Sequence, residues 1–391
     1  MQDNLQPTLQ HFTDQILQAA SSGQTLRLRG GGTKDFLGQS LQGDVLDTCA
    51  YSGILSYEPS ELVITVCCGT PLAEVEAALA EKGQSFAFEP PHFGSGATIG
   101  GMLAAGLSGP ARASVGTVRD FVLGARVING KGEHLTFGGQ VMKNVAGYDV
   151  SRLLAGSWGQ LGLITEVSLK VLPVAPGEAT LVCAGVTQAQ ALKLINQWGG
   201  QPLPLNASAW VHDTTATPAQ DFFFVRLRGA VAAVEAAIAK MSAEVKALGA
   251  QVTLMDPAQA ASDWKASGEQ TLDFFKAPAE QDCLWRLSVP QTAPVLDIRV
   301  NGALCAQYIE WHGAQRWLWA PAAEAAQVRE AAVKAGGHAT LFRTSSASQQ
   351  TIGDVDKQAG VYTPLNAVQQ RIQNELKKQF DPAGIFNPGR A

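Results

Sequence analysis

Charge is what this chain has little of. Only 16% of its 391 residues are Asp, Glu, Lys or Arg, against about 25% in ordinary globular proteins, so much of the surface is uncharged and a partner protein is expected to cover part of it. The formal charge is −5 and the pI is near 5.7, which gives no long-range pull on polyanions and argues against nucleic acid as a partner. A long apolar run is also missing. The best candidate, Pro90 to Ala111, lacks Asp, Glu, Lys and Arg but carries three prolines and six glycines, an irregular backbone that lipid cannot satisfy. No intrinsic membrane segment is expected. The start, Met1-Gln2-Asp3, has neither a basic stretch nor an apolar run, and cytoplasmic residence is the expectation. Cysteine pairs are the third absence. Cys49, Cys67, Cys68, Cys183, Cys283 and Cys305 form no C-x-x-C pair, so neither a cysteine-rich zinc site nor an iron–sulfur cluster held by this chain is supported. They read as small buried hydrophobes.

Apolar residues make up 46% of the chain, enough for a sizeable core, and the length suits two or three domains. Glycine is unevenly spread: 25 of the 40 lie before residue 176, and 16 of those fall between Phe93 and Ile164. Because glycine weakens regular structure, such density marks turns and close approaches of backbone to something else. Between the glycines, Thr25 to Leu28, Leu62 to Cys67, Phe121 to Ile128 and Leu161 to Leu172 read as strands, and Pro71 to Lys82 as a helix closed by Gly83. Beyond Pro173 and Pro176 the texture becomes alternating strand and helix. Val231, Val234, Ile238, Met241, Val245 and Leu248 form an apolar helical stripe. Asp221 to Arg228, Asp282 to Val289 and Cys305 to Trp311 read as strands, and Ala322 to Ala335 as a helix, giving an α+β layer domain. Ser345 to Gly360 is polar and linker-like, and a last helix is expected over Pro364 to Lys378.

Arg29-Gly30-Gly31-Gly32-Thr33-Lys34 follows directly on a predicted strand. Consecutive amides without Cβ atoms, beside two cations, suit a diphosphate; a plain glycine turn accounts for the same residues equally well. Gly94-Ser95-Gly96-Ala97-Thr98-Ile99-Gly100-Gly101, with Asp120 twenty residues after Gly100, imitates a dinucleotide fingerprint. That fingerprint needs a hydrophobic strand running into its first glycine, whereas Glu89-Pro90-Pro91-His92 stands there. Gly124 to Lys131 fails as a P-loop, with its second glycine one residue late and Gly132 where Ser or Thr would hold magnesium.

Six blocks appear in order: Arg29 to Lys34; Thr98 to Gly101 with Leu107 to Arg112; Gly116-Thr117-Val118-Arg119-Asp120; Gly147-Tyr148-Asp149; Gly156 to Gly162; and Asn387-Pro388-Gly389-Arg390. In this order they resemble the flavoprotein superfamily of vanillyl-alcohol oxidase and p-cresol methylhydroxylase (PCMH). The resemblance implies an α+β fold, with FAD held by a PCMH-type domain of two α+β subdomains, an α+β cap domain, and a C-terminal segment returning to the flavin domain. The implied boundaries are 1–175, 176–344 and 345–391. It further implies that Arg29, Gly30, Gly31, Gly32, Thr33 and Lys34 hold the pyrophosphate. Pro90, Thr98, Gly100, Gly101, Ser108, Gly109, Arg112, Gly116, Arg119 and Asp120 would surround the diphosphate, ribityl chain and ring, and Gly162, Leu163 and Ile164 would meet the adenine side. Arg112, Arg119 and Lys143 are the charges available near the ring; surface ion pairing is their alternative role. Relatives that bond flavin to histidine carry it directly after the glycines, where this chain has Thr33, and His92 lies outside the other attachment position. FAD is therefore expected to be non-covalent.

Within that superfamily, Tyr308 to Leu318 and Gly336 to Arg343 resemble the family of FAD-binding subunits of bacterial glycolate oxidase, or glycolate dehydrogenase. Catalytic 2-hydroxy-acid dehydrogenases of the superfamily carry glutamate where this chain has Trp158, and bind a metal through two histidines seven apart and a later Glu-His pair. Here Ser345 stands seven after His338, and the one Glu-His pair, Glu133-His134, lies upstream, so no metal ligand and no catalytic residue is assigned. His338 and His312 read as packed side chains, and Arg316 and Arg343 as binders of a carboxylate or of a partner. The resemblance implies a flavin-carrying, poorly catalytic subunit whose partners are a catalytic FAD-containing glycolate dehydrogenase subunit and an iron–sulfur subunit, with any membrane association peripheral and through that complex. A self-sufficient flavin oxidoreductase acting on a 2-hydroxy acid or sugar, and a flavin-free scaffold, are the alternatives.

Overall fold

A computed structural model describes residues 2–140, 149–215, 217–349 and 354–390. Lys143, Gly147 and Tyr148, named above, lie outside the described residues. The chain divides into two compact units: Met1–Ser108, Gly116–Val174 and Pro364–Ala391 in the first, and Gly109–Val115 with Ala175–Thr363 in the second. Among the described residues no helix is long and apolar enough to cross a membrane.

The first unit is built on a five-stranded antiparallel sheet in the order Ile54–Glu58, Val63–Cys67, Leu163–Lys170, Val122–Ile128, His134–Gly138. The run Val63–Cys67 is buried at every position, as expected of a central strand covered on both faces. On the adjoining strand Glu166 is a buried carboxylate; the Tyr51 hydroxyl donates to it at 2.8 Å and Arg126 pairs with it at 3.3 Å. A separate parallel pair, Leu26–Arg29 with Asp44–Asp47, carries the arginine-and-glycine loop at its end. The C-terminal tail lies alongside that pair: Leu26 N–H donates to the Ile385 carbonyl at 2.7 Å and Asn387 N–H to the Leu26 carbonyl at 2.8 Å. Phe12, Ile16, Leu46, Ile128, Leu163, Ile385 and Phe386 pack together behind it. Phe12 and Ile16 come from the helix Gln2–Ser22, an element for which the composition gave no expectation.

In the second unit an eight-stranded antiparallel sheet runs Gln251–Leu254, Gly177–Ala184, Gln220–Gly229, Leu205–Asp213, Gln307–Glu310, Gln315–Pro321, Asp282–Ser288, His338–Arg343. Strand period fixes its faces. Phe223, Val225 and Leu227 enter the core with the helices Gln188–Gly199 and Val231–Lys246, where Trp198 stacks on Phe223 at 6.0 Å. Phe222, Phe224 and Arg226 alternate with them. The stripe on the second helix is shorter than its spacing implies: Val234, Met241 and Val245 are buried, but Val231 and Leu248, at its two ends, are exposed.

Two stretches depart from the expected boundaries. Residues 109–115 belong with the second unit, where the Trp311 indole donates to the Gly109 carbonyl at 2.9 Å and Arg112 lies 4.4 Å over the Trp311 ring. The return to the first unit falls at Pro364 rather than residue 345. The reason is pairing that the polar composition of 345–360 concealed: Leu341 N–H donates to Val361, Thr363 N–H donates to Ala339, and the Asp356 carboxylate accepts from the Ser345 amide and hydroxyl. Arg316, read above as a carboxylate or partner binder, is fully buried and donates to the carbonyls of Gly313, Pro294 and Ala293 at 2.8–3.0 Å. Its guanidinium is spent inside the fold. Arg343 donates to the Gln270 side chain at 2.9 Å.

His312 is buried in a left-handed turn (φ 56°), its ring nitrogens each 2.9 Å from a hydroxyl, Ser208 on one side and Ser114 on the other. Burial pulls its pKa down from 6.5 to about 4. The unfolded chain takes up this proton near pH 6.5 and the folded chain does not until about pH 4, so the stability held above pH 6.5 is lost as the pH falls through that window. Urea melts at stepped pH are expected to lose up to about 1.4 kcal/mol per pH unit from this group, and His312→Gln is expected to flatten the slope by one proton.

Candidate functional site

The site begins with the end of the strand Leu26–Arg29. Gly30, Gly31 and Gly32 turn directly against the loop 94–98: a Cβ on Gly31 would lie 1.5 Å from the Gly96 carbonyl oxygen, and one on Gly30 would lie 2.3 Å from the Thr98 hydroxyl. Only backbone fits there. Gly32 has φ +71°, a conformation that side chains resist, and its missing Cβ leaves room for the Arg29 guanidinium. Among the described residues the amides of Gly31, Gly32 and Thr33 donate to no protein acceptor. Thr98 then caps the helix Ile99–Ala105, accepting from the Gly101 amide at 3.2 Å, and this short helix forms the next wall.

Between these segments lies a cleft of about 110 Å³. Arg29 to Lys34, Thr98, Gly100, Gly101 and Gly162 to Ile164 all line it, so three of the separated sequence segments meet at one place. Its electrostatics are set by two cations already oriented. Arg29 pairs with Asp35 at 2.8 Å, which pushes its pKa up. Lys34 donates to the His92 carbonyl at 3.1 Å and to the Thr33 hydroxyl at 3.4 Å. Cys68, on the cleft wall, is buried and its thiol is pushed well above the ordinary range by that burial, so it presents a neutral surface. His92 sits 2.9 Å from the Glu76 carboxylate.

The structure does not place the remaining sequence-predicted residues on this cleft. Pro90 is buried and does not line the cleft. The Ser108 hydroxyl accepts from the Val118 amide at 3.3 Å. Asp120 spends its carboxylate on the Thr117 amide and hydroxyl at 2.8 and 3.0 Å, a capping arrangement beside Gly116 rather than a ribose contact. Arg119 is exposed. Gly109 and Arg112 belong to the second unit.

Three contributors escaped residue-level assignment: Trp158, Asn387 and Arg390. Asn387 accepts from the Leu28 amide at 2.9 Å and donates to the Trp158 carbonyl at 2.6 Å. Arg390, buried, donates to the carbonyls of Gln39, Lys34 and Asp35 at 2.7–3.3 Å, with its guanidinium 5.4 Å over the Trp158 ring. The signal was present, since both lie in the closing motif and Trp158 in the Gly156–Gly162 block, but the motif alone does not tell which carbonyls they bind. Asn387→Ala is expected to raise amide exchange at Leu28 and over 158–160 by about tenfold, a loss of ~1.4 kcal/mol of local stability, read by hydrogen–deuterium exchange.

Residues 9–138 match the family described as FAD binding domain. The chain superposes on the solved structure of alkyldihydroxyacetonephosphate synthase with a TM-score of 0.65, at 15% identity, over 96% of this chain and 73% of that one, a likeness of fold. These define an FAD-binding flavoprotein of the PCMH type, and FAD is its cofactor. The chain is 42% identical over 381 residues to the glycolate oxidase subunit GlcE of Escherichia coli K12, covering 97% of this chain and 96% of that one, and it belongs to that subunit's family. It is also 33% identical over 129 residues to the glycolate oxidase subunit GlcD of Bacillus subtilis, covering 33% of this chain and 27% of that one.

Proposed function

We propose that this chain is the flavin-carrying, weakly catalytic subunit of a hetero-oligomeric 2-hydroxy-acid dehydrogenase of the glycolate type, and that the cleft receives the FAD diphosphate. The observation carrying the cofactor site is the packing of Gly31 on Gly96, which leaves the amides of residues 31–33 without a protein acceptor beside Arg29 and Lys34. Successive amides of this kind are anion donors that need no reorganisation. Gly100 and Gly101 border the same anion, and Gly162 to Ile164 offer apolar backbone and side chains toward the adenine. Arg390 holds the Lys34 and Asp35 carbonyls at the end of the loop, and Asn387 holds the Leu28 amide before it and the Trp158 carbonyl opposite. The flavin supplies reversible two-electron chemistry when bound; the residues here bind and orient it.

Attachment is non-covalent in this reading. Thr33 stands where a bonding histidine would, and His92 is engaged by Glu76. Two names, glycolate oxidase subunit GlcE and subunit GlcD, support a multi-subunit assembly. The partners proposed are a catalytic FAD-containing subunit and an iron–sulfur subunit, and any membrane association is peripheral through them.

Gly31→Ala is expected to weaken FAD binding at least tenfold, about 1.4 kcal/mol, measured as flavin absorbance per purified chain; denaturing the parent protein is expected to release all flavin to the filtrate. Flavin retained by the denatured chain contradicts non-covalent binding. Glycolate or D-lactate added to the purified single chain is expected to give no steady-state turnover, with activity appearing only when the partner subunits are added. Steady-state turnover by the chain alone would return the self-sufficient oxidoreductase.

A further inference from the structure

The second unit contains a cavity of about 360 Å³ whose lining residues all belong to that unit. Its floor is the sheet face that alternates with the core face, presenting Phe224, Ala209, Val211, Tyr308 and Trp319. Its roof is the helix Pro257–Glu269 and the turn after it, which carry Trp264 and Phe274. The roof is pinned rather than collapsed onto the sheet: the Trp264 indole donates to the Thr180 hydroxyl at 3.0 Å, the Ser267 and Tyr308 hydroxyls bond at 2.8 Å, and the Trp319 indole donates to the Phe274 carbonyl at 2.7 Å. These bonds occupy the indole N–H groups of Trp264 and Trp319 and the hydroxyls of Ser267 and Tyr308, so those side chains present ring surface to the space, while acidic and basic side chains stand at its edge; the volume lies in the range of small-molecule sites and far above that of a packing void.

The charges around the cavity are unequal. Lys276 is paired with Asp273, and His212 lies 2.6 Å from Asp221. Asp213 and Asp263 are held by neutral donors instead, the Thr215 amide and hydroxyl for the first and the Gln259 side chain for the second. Among the described residues neither carboxylate has an ion pair. Burial first, then the charge of Glu310 and last that of Asp263, push the Tyr308 phenol on the floor above its ordinary range. The nearest buried cation, Arg226, is outside the lining: it donates to Asn206 at 2.6 Å and covers one face of the Trp264 ring at 4.9 Å, and the ring faces left to the cavity together with the two carboxylates favour a cation.

We propose that this cavity binds a small aromatic cation: one or two flat rings bearing a protonated amine, with the rings against Phe224, Phe274 and Trp319 and the amine toward Asp213 and Asp263. The proposal is independent of the flavin cleft, because none of its residues lies in the first unit.

Three probes sharing one ring system and differing in charge test it: tryptamine, indole and indole-3-acetate, titrated calorimetrically into the full-length chain with its FAD bound. Tryptamine is expected to bind saturably at one site, with indole weaker and indole-3-acetate at least about tenfold weaker than tryptamine, the gap narrowing as salt screens the carboxylates. Asp263→Asn is expected to weaken tryptamine several-fold and leave indole unchanged. Ala209→Trp, which fills the floor, is expected to abolish tryptamine binding while flavin absorbance per chain is retained. If that variant fails to fold, the Asp263→Asn comparison decides alone. The proposal is overturned by absence of saturable tryptamine binding, by indole-3-acetate binding as tightly as tryptamine, by Asp263→Asn leaving tryptamine affinity unchanged, or by a folded Ala209→Trp that binds tryptamine as the parent does.

Discussion

Two backbones meet at Gly31 and Gly96 with no side chain between them, and the proposed cofactor site depends on that contact. With the turn held this close to loop 94–98, the amides of residues 31–33 stand beside Gly100 and Gly101 across one narrow cleft. Any side chain at position 31 would meet a carbonyl oxygen inside bonding distance, so the loops would part and the amides would disperse. Concentrating donors in this way is how a neutral backbone comes to hold a doubly charged diphosphate without a cluster of surface cations.

Holding the loop in place falls to the other end of the sequence. Asn387 reaches Leu28 and Trp158, and Arg390 reaches Gln39, Lys34 and Asp35. All but one of these partners on the loop side are carbonyls, the group whose intrusion would spoil an anion site. A tail that removes carbonyls from the cleft therefore prepares it for phosphate as surely as residues that would touch the phosphate. Unlike a metal or a disulfide, the arrangement is assembled only when the chain is complete and folded, since its two halves are separated by nearly the whole sequence.

Much of this was legible beforehand, and the exceptions have a common cause. The strands of the first unit could be read from short β-branched runs such as Val63–Cys67, and the glycine loop from its place after a strand. Residues whose role depends on what lies opposite were less accessible. Asp120 was expected among the residues around the flavin, yet its carboxylate folds back three residues to cap Thr117. Arg316 looked like a surface ligand until three carbonyls enclosed it. Residues 345–360 looked like a linker by composition, yet Ser345 bonds to Asp356 and Ser348 to Asp354, a pairing that composition does not reveal. The cavity under Trp264 was invisible for a similar reason: its five aromatic rings come from five elements, and no spacing in the chain links them.

Convergence of separate segments on one diphosphate is most directly tested by hydrogen–deuterium exchange of the apo-protein before and after addition of FAD. The amides of 30–35, 94–101 and 387–390 are required to gain protection together and at the same FAD concentration. Protection confined to one of these segments, or falling instead on the second unit while all three remain unchanged, would contradict it.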